Sequence, residues 1–291
     1  MDFLGISRSP IYSPHSEDRD AQIFNQLSAE LRARNFQVAC LSEDELDDKS
    51  VEILCNDAPV IFSMGRRPHV LQVLAKMQQQ GCVVVNSASG IMRLSRRNIY
   101  ASCLNVPQHC LNVPQQYSEL GETCDLQYPC WLKRDDACSQ QADDVCFVAN
   151  KEELQSKIQG FVQRGVAHYV VSEHKTGDLI KFYGVAGTSF FYWYSPKRDN
   201  GFSKFGLEKH NDEYSGFAFD EVAFQKQMNC LAQHLQIPVY GGDAIVDNQG
   251  QCFLIDFNDW PSFSCCRDKA VPAIADCLVQ MAKHNRLSIK K

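Results

Sequence analysis

The strongest constraint on the fold is a stretch near the C-terminal end that has the pattern of two strands joined by a turn. The sequence GGDAIVDNQGQCFLIDFNDWPSF, residues 241–263, has two apolar runs separated by Asp-Asn-Gln-Gly, a turn composition. Side chains alternate along a strand, so Asp256 and Asn258 share one face and Phe257 points to the other. Burying an unpaired carboxylate costs several kcal/mol, so this face must meet water, a partner charge or a cation.

The same hairpin predicts a third polar group on that face. If residues 247–250 form the loop, or only the two central ones do, Asp243 lies opposite Leu254. One residue advances a strand by about 3.4 Å, so Asp243, Asp256 and Asn258 would converge within reach of one or two cations. Three hard oxygen ligands suit Mg²⁺. A solvated hairpin edge that carries acids by chance is the alternative.

Composition is that of an ordinary globular protein. The chain has 291 residues, 44% hydrophobic and 22% charged, which is enough for two or three domains. The net charge of −6 argues against nucleic acid as a main partner, because phosphate binding needs a basic surface. No apolar run approaches the roughly 18 residues of a membrane helix, and the start MDFLGISRSP lacks the pattern of a secretory signal. We therefore expect a cytoplasmic protein with neither a membrane nor a nucleic-acid partner.

The 14 cysteines occur inside apolar stretches such as CVVV and QCFLI, and none forms a Cys-x-x-Cys pair. A disulfide framework or a zinc site would need clustered spacings. Buried free cysteine behaves as a small apolar residue, and we expect that behaviour here. The adjacent pair Cys265 and Cys266 is the exception to watch, because it follows the hairpin.

Strands and helices alternate over the first 85 or so residues. FLGIS, PVIFSMG and CVVVN have the composition of short buried strands. Ser16 can cap the first intervening helix, and Gly81 can end the second. The apolar stripes of these two helices are Ile23, Leu27 and Leu31, and Leu71, Leu74 and Met77. The order predicts a small, mostly parallel sheet.

The last two thirds mix strand-rich and helix-rich pieces, which is typical of an α+β fold. The pattern from Ile91 to about Asn105 is helical, and CWLKR and HYVVSEH are strands. LIKFYGVAGTSFFYWY predicts a hairpin that turns at residues 186–187. Asn150 and Asp220 are each placed to cap a helix.

The C-terminal hairpin and the pieces upstream of it resemble the ATP-grasp enzymes. In that family an aspartate opens one strand, and an acidic-x-Asn motif closes the next and is followed by proline. Asp243, Asp256, Asn258 and Pro261 stand at those positions. The resemblance covers roughly residues 60–265 and is to the carboxylate–amine ligase type, the group of the ribosomal-protein glutamate-adding ligase and D-alanine–D-alanine ligase. It implies that the three polar side chains hold Mg²⁺ or Mn²⁺ against the phosphates of ATP.

The resemblance also implies nucleotide ligands in the family's order along the chain. PCWLKR resembles the strand whose lysine touches the ATP phosphates, which points to Lys133. YVVSEHKTGD resembles the hinge strand that holds adenine, which implies nucleotide contacts at Glu173 and His174. Asp178 stands where the family has an acid that binds the ribose hydroxyls.

Three further cations are implied near the phosphates and the substrate. Lys181, in LIKFYGV, stands where related enzymes place a cation that faces the phosphates or the reacting substrate. For the second phosphate-binding lysine of the family this chain offers Arg97 or Asn98, and we choose Arg97 because it keeps the charge. Arg267 could clamp a substrate carboxylate in bidentate fashion. A solvated surface arginine is the alternative for Arg267.

The resemblance implies three regions. Residues 1–86 would form an α/β N-terminal domain that precedes an α+β ATP-grasp fold. That fold would have two subdomains, 87–168 and 169–291, with ATP between them and the metal site in the second.

Some positions depart from the family pattern. The loop after Lys133, RDDACSQQADDVCFV, should be a glycine-rich lid but contains no glycine. Asp256 replaces the more frequent glutamate, and Ser262 stands where glycine often follows the proline. These departures bear on turnover more than on nucleotide binding.

Three functions therefore remain open at this point. The first is an ATP- and magnesium-dependent ligase that joins a small-molecule carboxylate to an amine through an acylphosphate. The second is an ATP-dependent kinase of a small phosphorylated polyol, and the third is an ATP-binding module without turnover. A homodimer is possible by analogy with relatives.

Overall fold

The computed structural model describes residues 1–12, 17–47, 60–106, 111–118, 125–135, 141–199 and 206–289, and three four-stranded sheets follow one another along them. The strands are β1 Phe3–Ser7, β2 Val38–Ser42, β3 Val60–Ser63, β4 Val83–Val85, β5 Gln116–Tyr117, β6 Cys130–Arg134, β7 Val145–Val148, β8 Tyr169–Glu173, β9 Asp178–Val185, β10 Phe191–Tyr194, β11 Val239–Val246 and β12 Cys252–Asp259. The helices are α1 Glu17–Ala33, α2 Pro68–Gln79, α3 Ala88–Met92, α4 Arg96–Asn105, α5 Lys151–Gln163, α6 Glu221–Leu235 and α7 Arg267–Ile289.

The first sheet has the order β2-β1-β3-β4, and all its strands are parallel, which confirms the prediction for this part of the chain. Helix α1 buries Ile23, Leu27 and Leu31 as expected. The sequence analysis did not identify β2, whose short apolar run VACLS is only partly buried. The proposed helix cap, Ser16, lies outside the described residues.

The second sheet, β5-β8-β6-β7, and the third, β10-β9-β11-β12, are antiparallel. The predicted β9–β10 hairpin is present. The predicted boundary between residues 168 and 169 precedes β8, yet β8 pairs with β5 and β6. The chain therefore passes from the second sheet to the third between Glu173 and Asp178. The domain boundaries themselves stay predictions.

Two helix starts follow the sequence signals. The Asn150 side chain accepts a hydrogen bond from the Glu153 N–H at 2.9 Å, and the Asp220 side chain accepts one from the Ala223 N–H at 2.9 Å. Each side chain satisfies a backbone donor that the first helical turn leaves unpaired.

The single helix expected over 91–105 is wrong. The structure has two helices there, α3 and α4, with a break before α4. Ser95 is the reason, because its hydroxyl accepts from the Asn98 N–H at 3.2 Å and caps α4.

The register predicted for the C-terminal hairpin is also wrong. Asp243 pairs with Asp256 rather than with Leu254, and Ala244 pairs with Leu254. The shift has two parts. The turn is one residue longer than predicted, so Val246 pairs with Cys252, and an irregularity between Asp243 and Ala244 then adds Ile255 as an extra residue on β12. The correction matters for the site, because the two carboxylates are direct cross-strand neighbours.

The second sheet covers a small core of its own, and this fixes the direction of its other face. Cys130 and Leu132 on β6 are fully buried in that core. Because side chains alternate, Trp131 and Lys133 point the opposite way, towards the third sheet.

Two further expectations concern cysteines and membranes. The ten cysteines that the structure describes are free, and Cys266 is buried whereas its neighbour Cys265 is exposed. Within the described part of the chain, no helix is both long and apolar enough to span a membrane.

Candidate functional site

A cavity of about 820 Å³ is bordered by the second and third sheets and by the segment 66–99. Its volume is within the range of small-molecule sites, about 300–1,000 Å³. Six of the residues implicated by the sequence line this cavity, and they are Lys133, Glu173, Lys181, Asp243, Asp256 and Asn258. Arg97, His174, Asp178 and Arg267 are not among the lining residues.

The acidic end of the cavity is built on the paired strands β11 and β12. Asp243 lies directly opposite Asp256, and Asn258 follows two residues later on the same face. Burial, together with repulsion from Asp256, raises the pKa of the Asp243 carboxyl, although Lys181 opposes this rise. The arrangement concentrates negative charge where a cation would be favoured.

Lys181, on β9, is the protein cation that balances this negative charge. Its Nζ donates to both carboxylate oxygens of Asp243 at 3.2 Å and lies 3.6 Å from the Glu208 carboxylate. Burial works against the charge of Lys181, but Asp243 and Glu208 outweigh it and raise the pKa above its usual value. Lys181 therefore stays protonated at neutral pH.

Glu208 is a cavity residue that the sequence reasoning missed. It belongs to a short 3-10 turn, Leu207–His210. Such a turn has no helical or strand periodicity to mark an inward-facing side chain. The contact with Lys181 is visible only once the chain is folded.

Lys133 faces the acidic end from the opposite sheet, as its position on β6 predicts. Its Nζ donates to the Ile255 carbonyl at 3.2 Å. Burial, and then repulsion from Arg96, lowers the pKa of Lys133 to about 8. Its charge is thus under-compensated, and an anion bound here would stabilise it.

The hinge end of the cavity is lined by Glu173 and Lys175. Lys175 Nζ lies 2.7 Å from the Glu173 carboxylate and 4.9 Å from the centre of the Phe253 ring. The His174 ring accepts at Nδ1 from the Trp131 indole N–H at 3.0 Å, and burial lowers the pKa of His174. His174 thus positions Trp131, which does line the cavity.

Asp178 is engaged by the protein itself. Its carboxylate accepts from the Ser215 N–H at 2.6 Å and from the Phe217 N–H at 2.7 Å, and the residue is buried. A ribose contact would therefore compete with two backbone hydrogen bonds. The ribose-binding role of Asp178 stays a prediction from the resemblance.

The arginine of α4 that lines the cavity is Arg96, one residue before the expected Arg97. Arg96 Nη2 lies 3.8 Å from the Asp256 carboxylate. Arg97 instead contacts Asp135, with 3.4 Å between Nε and the carboxylate. Successive helix residues differ by about 100° in direction, so the two side chains at the start of α4 separate. Arg96 therefore lines the cavity and Arg97 does not, and the phosphate-binding role of Arg97 stays a prediction.

Arg267 lies away from the cavity. Its guanidinium donates to the Ser262 carbonyl at 3.3 Å and to the Gln22 side chain at 2.7 Å. These partners favour an anchoring role for the start of α7 over the substrate clamp, which stays a prediction.

The residues on β11 and β12 fit Mg²⁺ by their chemistry. Within the described ranges, no three or more His, Cys, Asp or Glu residues form a group that could hold a metal ion. The candidate ligands on β11 and β12 are of a different kind, because they are two carboxylates and the amide of Asn258. Carboxylate and amide oxygens are the hard ligands that Mg²⁺ takes, usually together with water and phosphate oxygens. A cation between Asp243 and Asp256 would also relieve the repulsion that raises the pKa of Asp243.

Comparison with known proteins finds similarity at the level of the fold. No protein-family model and no curated protein sequence match the chain. D-alanine–D-alanine ligase from Bacillus anthracis complexed with ATP is 13% identical, with a TM-score of 0.65 over 99% of this chain and 98% of that one. A RimK domain protein ATP-grasp from Sphaerobacter thermophilus is 15% identical, with a TM-score of 0.65 over 95% and 99% of the two chains. N5-carboxyaminoimidazole ribonucleotide synthetase from Thermotoga maritima is 11% identical, with a TM-score of 0.56 over 89% and 68%.

Proposed function

This chain has the ATP-grasp fold, and we propose that it is an ATP- and magnesium-dependent ligase that joins a small-molecule carboxylate to an amine. One observation carries the proposal. Asp243 and Asp256 pair across β11 and β12, beside Asn258, in a cavity that also holds Lys133 and Lys181. Acids and cations that face each other across two sheets provide both a cation site and an anion site in one volume.

Each charged side chain has a task in such a reaction. Lys133 and Arg96 would neutralise the charge of phosphate oxygens, because both line the cavity close to Asp256. Asp243, Asp256 and Asn258 would hold Mg²⁺, which when bound draws charge from the transferring phosphoryl oxygens. Lys181 keeps Asp243 ionised and would orient the reacting carboxylate. The carboxylate would attack the γ-phosphate, and an amine would then displace phosphate from the acylphosphate.

The kinase alternative has less support from the site. A phosphorylated polyol would need several uncompensated cations around the substrate. Two neighbouring basic residues are instead paired outside the cavity, Lys197 with Glu213 at 3.0 Å and Arg198 with Asp199 at 2.7 Å.

A hydroxylamine trap tests the proposed reaction. The protein is incubated with Mg²⁺, ATP, hydroxylamine and a carboxylate, and hydroxamate and ADP are measured together. A ligase forms both in equal amounts. A kinase forms ADP and a phosphorylated product without hydroxamate when a phosphorylated polyol is added in place of the carboxylate, and a binding module forms neither in either mixture.

Asn258→Ala is the matched variant for this test. Asn258 is exposed, so its loss should leave stability within about 0.5 kcal/mol of wild type. Loss of a metal ligand commonly costs tenfold to a hundredfold in activity, about 1.4–2.7 kcal/mol. Full turnover in a correctly folded Asn258→Ala protein would contradict the proposed metal site.

A further inference from the structure

The cavity extends well beyond the acidic end. Strand β12 follows its floor, with Lys175 over the Phe253 ring near one end and Asp259 paired with Arg66 at the other. Six residues separate Phe253 from Asp259, which is about 20 Å along a strand. The lysines and the acidic pair lie between these two ends, so the Arg66 end is a far compartment of the same cavity, which adjoins the acidic pair and lies away from the hinge.

This far compartment has an apolar wall. Pro68 and Leu71 of α2, with Ile91, Met92 and Leu94, line the cavity here. Leu71 and Ile91 are 6% exposed and belong to the main core, so they form a fixed surface. Met92 is 50% exposed although it borders the cavity. Together these side chains form a continuous apolar surface at the cavity, and a contiguous apolar surface of this kind is typical of a ligand-binding groove.

Arg66 supplies the compartment's positive charge. Its guanidinium forms an ion pair with Asp259, whose side chain is fully buried, and it also donates to the Asp259 carbonyl at 3.4 Å. The side chain remains 22% exposed, and its buried Nε has no hydrogen-bond partner. The backbone at Arg66 is held by the buried Glu43, whose carboxylate accepts hydrogen bonds from the N–H groups of Arg66 and Arg67 at 2.8 and 2.9 Å. The guanidinium is thus anchored on one side and open to the cavity on another.

Asp259 is the acid at this end of the cavity, and Arg66 already pairs with it. Within residues 60–106, which are described without a gap, the charged side chains that line the cavity are Arg66 and Arg96. An ammonium group on the body of a ligand would find no carboxylate partner on the wall. A second carboxylate there would lose its hydration against Leu71 and Ile91.

We propose that the compartment binds the carboxylate substrate, and that this substrate is a carboxylic acid with an apolar body. The assignment rests on the proposed ligase function and adds the substrate class. Arg66 holds the carboxylate beside Asn258 and Asp259, at the acidic end where phosphoryl transfer would occur. The apolar body lies against Leu71 and Met92.

A chain-length series tests this class by binding alone. Butyrate, hexanoate and octanoate are titrated calorimetrically into the protein with Mg²⁺ and a non-hydrolysable ATP analogue. Burying one methylene strengthens binding about fourfold, so hexanoate, with two more methylenes, should bind about fifteenfold more tightly than butyrate. Adipate, which has the same length as hexanoate and a second carboxylate, should bind at least tenfold more weakly than hexanoate. Equal or tighter binding of adipate would overturn the proposal.

6-Aminohexanoate, which is hexanoate with an ammonium group at the far end of its chain, tests the apolar wall for an acidic partner. Weaker binding than hexanoate supports an apolar body, because no acid of residues 60–106 lines the cavity. Tighter binding would overturn the assignment of an apolar body. The hydroxylamine trap is then run with the tightest ligand. Binding without hydroxamate would refute the ligase function, whereas hydroxamate from polar acids alone would refute only the substrate class.

Two variants locate the compartment. Met92→Glu should weaken hexanoate binding about tenfold, whereas Leu104→Glu, on an exposed residue outside the cavity, should leave it unchanged. The double variant Arg66→Gln, Asp259→Asn removes both charges of the ion pair, which is better tolerated than leaving Asp259 buried alone. It should weaken all carboxylates at least tenfold. Thermal unfolding of each variant checks the fold, and unchanged hexanoate binding in folded Met92→Glu would contradict the site.

Discussion

The two sheets that face each other across the cavity each contribute one lysine, and the two lysines differ in electrostatic environment. Lys181, on the third sheet, contacts Asp243 and lies 3.6 Å from Glu208, and its pKa is raised. Lys133, on the second sheet, donates to a carbonyl and faces Arg96, and its pKa is lowered to about 8. Lys181 forms ion pairs within the protein, whereas the attraction of Asp256 and Asp243 only partly offsets the burial of Lys133, so a bound anion would stabilise Lys133 further. The difference separates a residue that maintains the fold from one suited to bind phosphate.

Lys133→Met should have the largest effect on binding. Removing a buried charge that pairs with a bound anion costs about 2–5 kcal/mol, so the dissociation constant of the Mg²⁺–ATP complex should rise about a hundredfold. The stability of the protein without nucleotide should not fall, because burial makes the charge of Lys133 unfavourable there. Calorimetric titration and urea unfolding measure the two quantities. A large loss of stability with unchanged affinity would reverse the contrast between the two lysines.

Lys181→Met should show the opposite balance. Its removal leaves Asp243 without its partner, and breaking a buried pair costs about 3–5 kcal/mol. Both side chains are partly exposed, at 19% and 29%, so we expect a loss of about 2 kcal/mol in the free energy of unfolding. Urea unfolding measures the change. The double variant Lys181→Met, Asp243→Asn is the control, and it should recover part of the lost stability.

The pH dependence of nucleotide affinity should follow Lys133. Bound phosphate favours the protonated amine, so affinity is fully present below about pH 8 and falls as pH rises through that value. At pH 9 the dissociation constant should be about tenfold higher than at pH 7. Lys133→Met should abolish this slope, and a slope that persists in the variant would assign it to another group.

The smallest expected effect is on the pH dependence of stability, and it concerns His174, which directly follows β8. Burial lowers the pKa of His174 in the folded protein, so the unfolded chain takes up its proton first as pH falls. The contribution of this residue to stability is therefore present above about pH 6.5 and is lost as pH falls below that value. His174→Gln, measured by thermal unfolding between pH 7.5 and 5, should flatten the decline. A decline of the same size in the variant would remove His174 as its cause.

The sequence predicted the groups whose positions depend on local alternation. Asp256 and Asn258 share a face of β12, and Lys133 faces away from the core of its sheet, because strand geometry alone requires both. The resemblance to a family supplied the order of these pieces along the chain.

What the sequence missed depends on contacts between distant segments. The irregularity at Asp243 shifts the register of the hairpin, and nothing in the local pattern marks Ile255 as the extra residue. Glu208 lies in an irregular turn and becomes a site residue only through Lys181. Asp178 stands at the family's acidic position, but its carboxylate accepts hydrogen bonds from the N–H groups of residues 215 and 217, which belong to a loop far along the chain.

The most direct test of the proposed site is the position of a metal in a crystal grown with Mn²⁺ and a non-hydrolysable ATP analogue. Manganese can replace magnesium at oxygen ligands, and its anomalous scattering identifies the position of the ion directly in a difference map. We predict manganese within about 2.3 Å of oxygen atoms of Asp256 and Asn258, with Asp243 beside it and the phosphates reaching Lys133. Manganese bound elsewhere, or an analogue bound away from Lys133, would contradict the account.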